Sequence, residues 1–157
     1  MAIRKVVFIG ENSLRKKSKP VKDFDEDLWQ LLDDMKETMY ENDGMGLAAP
    51  QVGVLRRVVV MEVNNAYFEL INPEIISKKG KDIEEEGCLS VGTFRGRVER
   101  PMEVTVTAFD RYGYPFTLKG EKWLARCICH ELDHLDGVLF VDKSMDKDQY
   151  LKNGGVL

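Results

Sequence analysis

Both histidines of this 157-residue chain fall in one short segment, His130-Glu131-Leu132-Asp133-His134. Side chains four apart meet on one face only if the backbone is helical, so the segment must form a helix with one face looking into a site. Random placement would set two histidines four apart in roughly one chain in eighty, before the glutamate between them is required. The spacing predicts a helix over about residues 121–136, with Gly137 as its C-terminal cap. Leu124, Ile128, Leu132 and Leu135 make its apolar stripe. His130, Glu131, His134 and Cys127 flank that stripe, and Arg126 and Asp133 fall on the opposite side. The motif therefore lies at the border between a buried face and a cavity.

The remaining pattern must cover that stripe. Leu28, Leu31, Leu32, Met35 and Met39 recur at helical spacing and predict a helix from about Asp25 to Glu41, capped by Asp23 or Asp25. Three glycines and a proline between Gly44 and Gly53 preclude a long regular element. Strands are expected over 57–63, 67–71, 102–109 and 115–118, the first two joined by Asn64-Asn65 and the last two by Asp110-Arg111-Tyr112-Gly113. A short apolar strand is expected over 138–141, and the polar tail from Asp142 is expected to fray. Helices and strands do not alternate, and the strand pairs look like hairpins. The expectation is an α+β fold, with mainly antiparallel sheets packed around a buried central helix that carries HExxH, in a single domain over residues 1–157.

Composition narrows the function. The formal charge of −4 argues against a strongly basic nucleic-acid binder. Three cysteines cannot close a disulfide framework, which favours a reducing compartment. The apolar run Val6–Ile9 is shorter than the roughly 7–15 residues of a secretory core, and nothing approaches the ~20 residues of a membrane span. A cytoplasmic protein is expected.

The two imidazoles can share one metal ion, with Glu131 beside a metal-activated water. A catalytic site of this kind wants a third protein ligand. No histidine or glutamate follows His134, so the third ligand is an aspartate or a cysteine. Cys127 precedes His134 by seven residues, roughly 10 Å of helix rise, too far for one ion to bind all three helix residues easily. Cys129 points away from the histidines. Cys88, in Glu86-Gly87-Cys88-Leu89-Ser90, is the remaining thiol. Three readings compete: a hydrolase with an open metal position, a structural metal module closed by cysteines, and a metalloprotease.

Gly44-Met45-Gly46-Leu47-Ala48-Ala49-Pro50-Gln51, Glu86-Gly87-Cys88-Leu89-Ser90 and His130-Glu131-Leu132-Asp133-His134 resemble, in order and spacing, the three signature motifs of the peptide deformylases. The resemblance spans essentially the whole chain. It implies removal of the N-formyl group from the initiator methionine of nascent polypeptides, with release of formate after attack by a metal-bound hydroxide. It implies one divalent metal ion on Cys88, His130 and His134: ferrous iron in the cell, with zinc, nickel or cobalt as substitutes. Glu131 is then the proton carrier, and the Gln51 amide and Leu89 N–H are the oxyanion donors. The substrate would lie against Met45, Gly46, Glu86 and Gly87, with its methionine against Trp123, Cys127 and the stem of Arg126, whose charge stays in water. The implied partners are formylmethionyl nascent chains, with transient ribosome contact, no membrane and a monomeric enzyme. Two positions depart from the family pattern. Gly92 stands where many relatives have proline, and Cys129 where glutamine is common.

Overall fold

Val58, Val59 and Val60 are all fully buried, because their strand is covered on both faces. The computed structural model describes residues 2–157. One antiparallel sheet contains β1 (Gly46–Ala48), β2 (Val58–Val63), β3 (Ala66–Lys79), β6 (Glu103–Phe109) and β7 (Pro115–Glu121), in the order β1-β2-β3-β6-β7. A separate antiparallel hairpin pairs β4 (Asp82–Glu86) with β5 (Gly96–Arg100). Helix α1 (Glu26–Glu41) packs Leu28, Leu32, Met35 and Met39 against Leu47, Val58, Val60 and Ile71. Helix α2 (Trp123–Leu135) packs Ala125, Ile128, Leu132 and Leu135 against Val59, Met61, Val63, Val104 and Val106. Alternate residues of β2 thus serve two cores. Each such fully buried aliphatic side chain contributes about 1.5–3 kcal/mol.

The two long helices fall where the periodicity puts them. Asp25 caps α1 by accepting from the Leu28 N–H. After α2, Gly137 adopts φ +75°, and the Gly137 and Val138 N–H groups close on the last-turn carbonyls. A side chain at Gly137 would strike the Arg15 backbone, so glycine is required there on two counts. β3 runs eight residues beyond the expected Ile71, with register shifts between Ile71 and Ser77. Asn72 sits at φ +51°, and its side-chain amide pairs with both backbone groups of Val21.

Two expectations are corrected. Residues 138–141 do not form a strand. A short helix, α3 (Phe140–Lys143), begins there because Asp142 accepts the Leu139 N–H at 3.0 Å and is held by both terminal nitrogens of Arg15. The tail does not fray at Asp142 either. It continues into α4 (Lys147–Lys152), and Tyr150 is buried with Val98, Leu139, Phe140 and Val141. The hairpin β4–β5 was not expected at all. Among the described residues, no helix is long and apolar enough to cross a membrane.

Asp142 allows a stability test. Burial opposes its ionisation, but the hydrogen bonds from Arg15 and the Leu139 N–H outweigh burial and hold the carboxyl below its ordinary value of 3.8. Its stabilising effect is therefore complete above that value and lost as pH falls through the lower, folded-state value. Asp142→Asn is expected to cost about 1 kcal/mol in urea unfolding at pH 7. The gap from wild type should close at strongly acidic pH. A gap that persists or widens there would show that charge at Asp142 is not what matters.

Candidate metal centre and active site

The hairpin and α2 together build the site. Glu86 ends β4 with its side chain buried, and Cys88 follows two residues later. His130 and His134 project from α2 with ring centroids 5.1 Å apart. The Cys88 Sγ lies 3.4 Å from His134 Nε2. One donor atom from each of Cys88, His130 and His134 falls within 4.8 Å of the others. Cys127 and Cys129 stay outside this group, buried in the core under α2.

Glu86 fixes the first histidine. Its Oε1 accepts from His130 Nδ1 at 2.9 Å and from Arg100 Nη2 at 3.0 Å. Its Oε2 accepts from Arg100 Nε at 2.9 Å and Arg126 Nη1 at 2.6 Å. A carboxylate can only accept, so His130 Nδ1 carries the proton and Nε2 is left for the cluster. Burial opposes ionisation of Glu86, yet His130 and Arg100 hold its carboxyl far below the usual range. Arg126 also donates to the Val98 and Asp82 carbonyls.

This corrects two sequence expectations. Arg126 is 2% exposed, so its charge is not in water. Asp133, placed by the helical wheel with Arg126 on the side opposite the histidines, accepts from Arg100 Nη1 at 2.6 Å and so joins the network that holds His130; it is also paired with Lys143. The unforeseen hairpin covers that side of α2 with an ion-pair layer. Arg100 itself was missed. It points inward with Gly96 and Val98, where alternation leads one to expect an apolar residue, so the pattern gave no signal for it.

A cleft of about 540 Å³ opens beside the cluster, lined in part by Met45, Gly46, Gln51, Cys88, His130 and Glu131. Gln51 is almost wholly buried. Its Oε1 accepts from the Ala48 N–H at 3.0 Å, which turns Nε2 toward Ser90 Oγ and Cys88 Sγ. Ser90 was a second residue not foreseen. Among the described residues, no backbone carbonyl takes the Leu89 N–H. Glu131 is 4% exposed, and its Oε1 has no hydrogen-bond partner among the described groups. A Cβ on Gly46 would stand 2.5 Å from Glu131 Oε2. Glycine there makes room for the Glu131 carboxylate, whereas the sequence reading assigned that space to the substrate backbone. The Met45 carbonyl accepts from the Glu62 N–H. Glu86, Gly87, Trp123, Arg126 and Cys127 complete one wall, with Trp123 half exposed and Arg126 beneath its ring.

Burial raises the Glu131 pKa to about 7. Burial also lowers the pKa of both histidines. At His130 the nearby Glu131 and the hydrogen bonds with Cys88 and Glu86 overcome it and raise that value, whereas His134 ends well below the ordinary value. Two imidazoles and one thiol, converging beside the unpartnered Oε1 of buried Glu131, are donors suited to a divalent cation. The residues present fit a bound metal, and the cleft side remains open.

The family model for polypeptide deformylases matches residues 3–150. This chain belongs to the peptide deformylase family. The peptide deformylase of Caldicellulosiruptor bescii is 57% identical over 143 residues, covering 91% of this chain and 86% of that protein. That of Thermoanaerobacter pseudethanolicus is 52% identical, covering 92% and 91%. Among solved structures, the Thermotoga maritima deformylase superposes with a TM-score of 0.90 at 40% identity, covering 92% of this chain and 99% of that one. The Ehrlichia chaffeensis deformylase, solved in complex with actinonin, gives 0.93 at 35% identity, covering 98% and 96%. Deformylases are metal-dependent hydrolases that remove the N-formyl group, and this chain is an enzyme of that kind. The structural-module and metalloprotease readings give way to it.

The Glu86 network yields a prediction. Glu86→Gln keeps the shape but leaves two buried guanidiniums with a neutral acceptor, and should cost about 3 kcal/mol in equilibrium unfolding. The same change should weaken metal retention by about 10-fold or more, read by dialysis against a chelator. An unchanged unfolding midpoint would show that the network does not hold the site.

Proposed function

We propose that Cys88, His130 and His134 hold one divalent cation per chain, ferrous iron in the cell with zinc, nickel or cobalt as substitutes. The observation that carries this is the convergence of those three donors beside a buried glutamate with an unpartnered oxygen, at the floor of an open cleft. α2 then serves as a buried central helix presenting HExxH to the cleft. When bound, the cation polarises the formyl carbonyl and acidifies water.

The chain supplies the rest. The formyl-peptide enters along the outer edge of β1, which has no strand partner on that side among the described residues. Its methionine lies against Trp123, Cys127 and the Arg126 stem, in a wall whose charges are already neutralised by Glu86. Glu131, with a pKa near 7, takes the proton of the attacking water and returns it to the leaving amine. The amide nitrogen of Gln51 and the Leu89 N–H donate to the oxygen on which negative charge develops. Pinning of the Gln51 carbonyl by Ala48 prepares that donor in advance. Glu86 acts one step back, by orienting His130. Residues 1–157 work as a single domain and a cytoplasmic monomer, on nascent chains that it meets in transient contact with the ribosome.

Protein purified without oxygen and loaded with iron is expected to release formate from formyl-Met-Ala, leaving internal peptide bonds intact. No formate from metal-replete protein would reject the reading. Glu131→Gln is expected to retain the metal, by elemental analysis, and to lose about 10²–10⁴-fold in kcat. Loss of metal in that variant would contradict its role as proton carrier.

A further inference from the structure

Behind the cleft, four rings form a column from His130 to the C-terminal helix. Phe140 stacks on His130 with centroids 6.0 Å apart and planes 25° apart. Phe94 stacks on Phe140 at 6.1 Å and 14°. Tyr150 closes on the Phe94 ring at 4.9 Å and 54°. Tyr150 is itself tied down. Its hydroxyl bonds both backbone groups of Val156, and its carbonyl accepts from the Gly155 N–H. The segment before it is fixed to β5. Asp146 forks onto the Arg97 guanidinium at 2.8 and 3.1 Å and also accepts the Arg97 N–H, while Ser144 Oγ and the Met145 N–H donate to the Arg97 carbonyl.

Phe94 lies in the middle of Gly92–Gly96, the loop that forms one rim of the cleft through Gly92, Thr93 and Arg95. Little else holds that rim. Gly92 sits at φ +91° in open space. Arg95 lies across the Gly87 backbone and makes an exposed 3.6 Å link to Glu85, of a kind that contributes little. Phe94 is the only large apolar side chain of the loop, and it packs into the cluster of Val98, Leu139, Phe140 and Tyr150. At the far end, a side chain on Gly96 would collide with Ser144 and the Phe94 ring, so the loop joins β5 under close packing. The rim is thus open at one end, tight at the other and anchored between by one ring.

We propose that Phe94 is a positioning residue. Clamped by Phe140 and Tyr150, it fixes the Gly92–Gly96 rim, so Tyr150 in α4 sets the affinity for peptide residues beyond the first without touching them. The kinetic consequence rests on the deformylase reading; the mechanical one does not.

The test compares full-length, metal-loaded wild type with Tyr150→Ala on formyl-Met-Ala and on a formylated tetrapeptide. KM for the tetrapeptide should rise about ten-fold, with kcat and the dipeptide constants within about two-fold. Tyr150→Phe, which keeps the ring and loses the hydroxyl, should restore the tetrapeptide KM. In Tyr150→Ala, tryptic cleavage of the folded protein after Arg95 should quicken about ten-fold. Equal losses on both peptides, or unchanged cleavage after Arg95, would overturn the proposal. If wild type releases no formate from either peptide, the functional reading fails and cleavage alone decides the clamp. If Tyr150→Ala does not fold, Tyr150→Leu carries the same readouts.

Discussion

One buried carboxylate, Glu86, is shared by two guanidiniums and an imidazole, and the architecture around the site hangs on that sharing. Glu86 belongs to β4, Arg100 to β5, and Arg126 and His130 to α2. Burying this many charges is costly unless every oxygen finds donors. Here each Glu86 oxygen takes two. The geometry satisfies the charges only when the hairpin lies against α2 in one position. Since Cys88 follows Glu86 by two residues, the contact that docks the hairpin also delivers the thiol to the histidines. Fold and site are not separable at this point of the chain.

The electrostatics divide the donors by role. Glu86 stays ionised because it is surrounded by donors, and it holds a ring in orientation. Glu131, one residue from His130, has burial without such donors, and its affinity for protons rises toward neutrality. Two glutamates of similar depth therefore act differently, one as a fixed anion and the other as a group able to exchange a proton. Gly46 belongs to the same arrangement, since any larger residue would occupy the space of the Glu131 carboxylate.

Much of this was legible where hydrophobic periodicity is strong. α1 and α2 follow from their stripes, and β2 from its dense β-branched run. The hairpin β4–β5 was hidden because its inward positions include Glu86 and Arg100, so the usual alternation carries charges where apolar residues are expected. Missing the hairpin is what left the Arg126 charge in water and Asp133 apart from the histidines, when both join the hairpin's ion pairs. Residues 138–141 look like a strand by composition, but the cap that Asp142 gives Leu139 is a local polar event that periodicity cannot register. Cys88 was reachable because His130 and His134 needed a further donor. The roles of Gly46 and Ser90 needed coordinates, since neither close approach nor a hydroxyl's partner is written in spacing.

The sheet has two edges, and their design bears on how the chain behaves in a crowd of its own copies. An open edge able to receive a peptide is also an open edge able to receive another protein molecule, the usual start of strand-to-strand aggregation. β1 spans only three residues and runs directly into a tight turn of helix at Ala49–Val52, with Pro50 inside it. It offers a brief ladder, enough to seat a short extended segment and too little to template a second sheet. At the opposite edge, β7 opens with Pro115 and carries Lys119 and Glu121 exposed, which discourages pairing by other means. Under the proposed binding mode, the length of β1 is a compromise between holding substrate and refusing self-association.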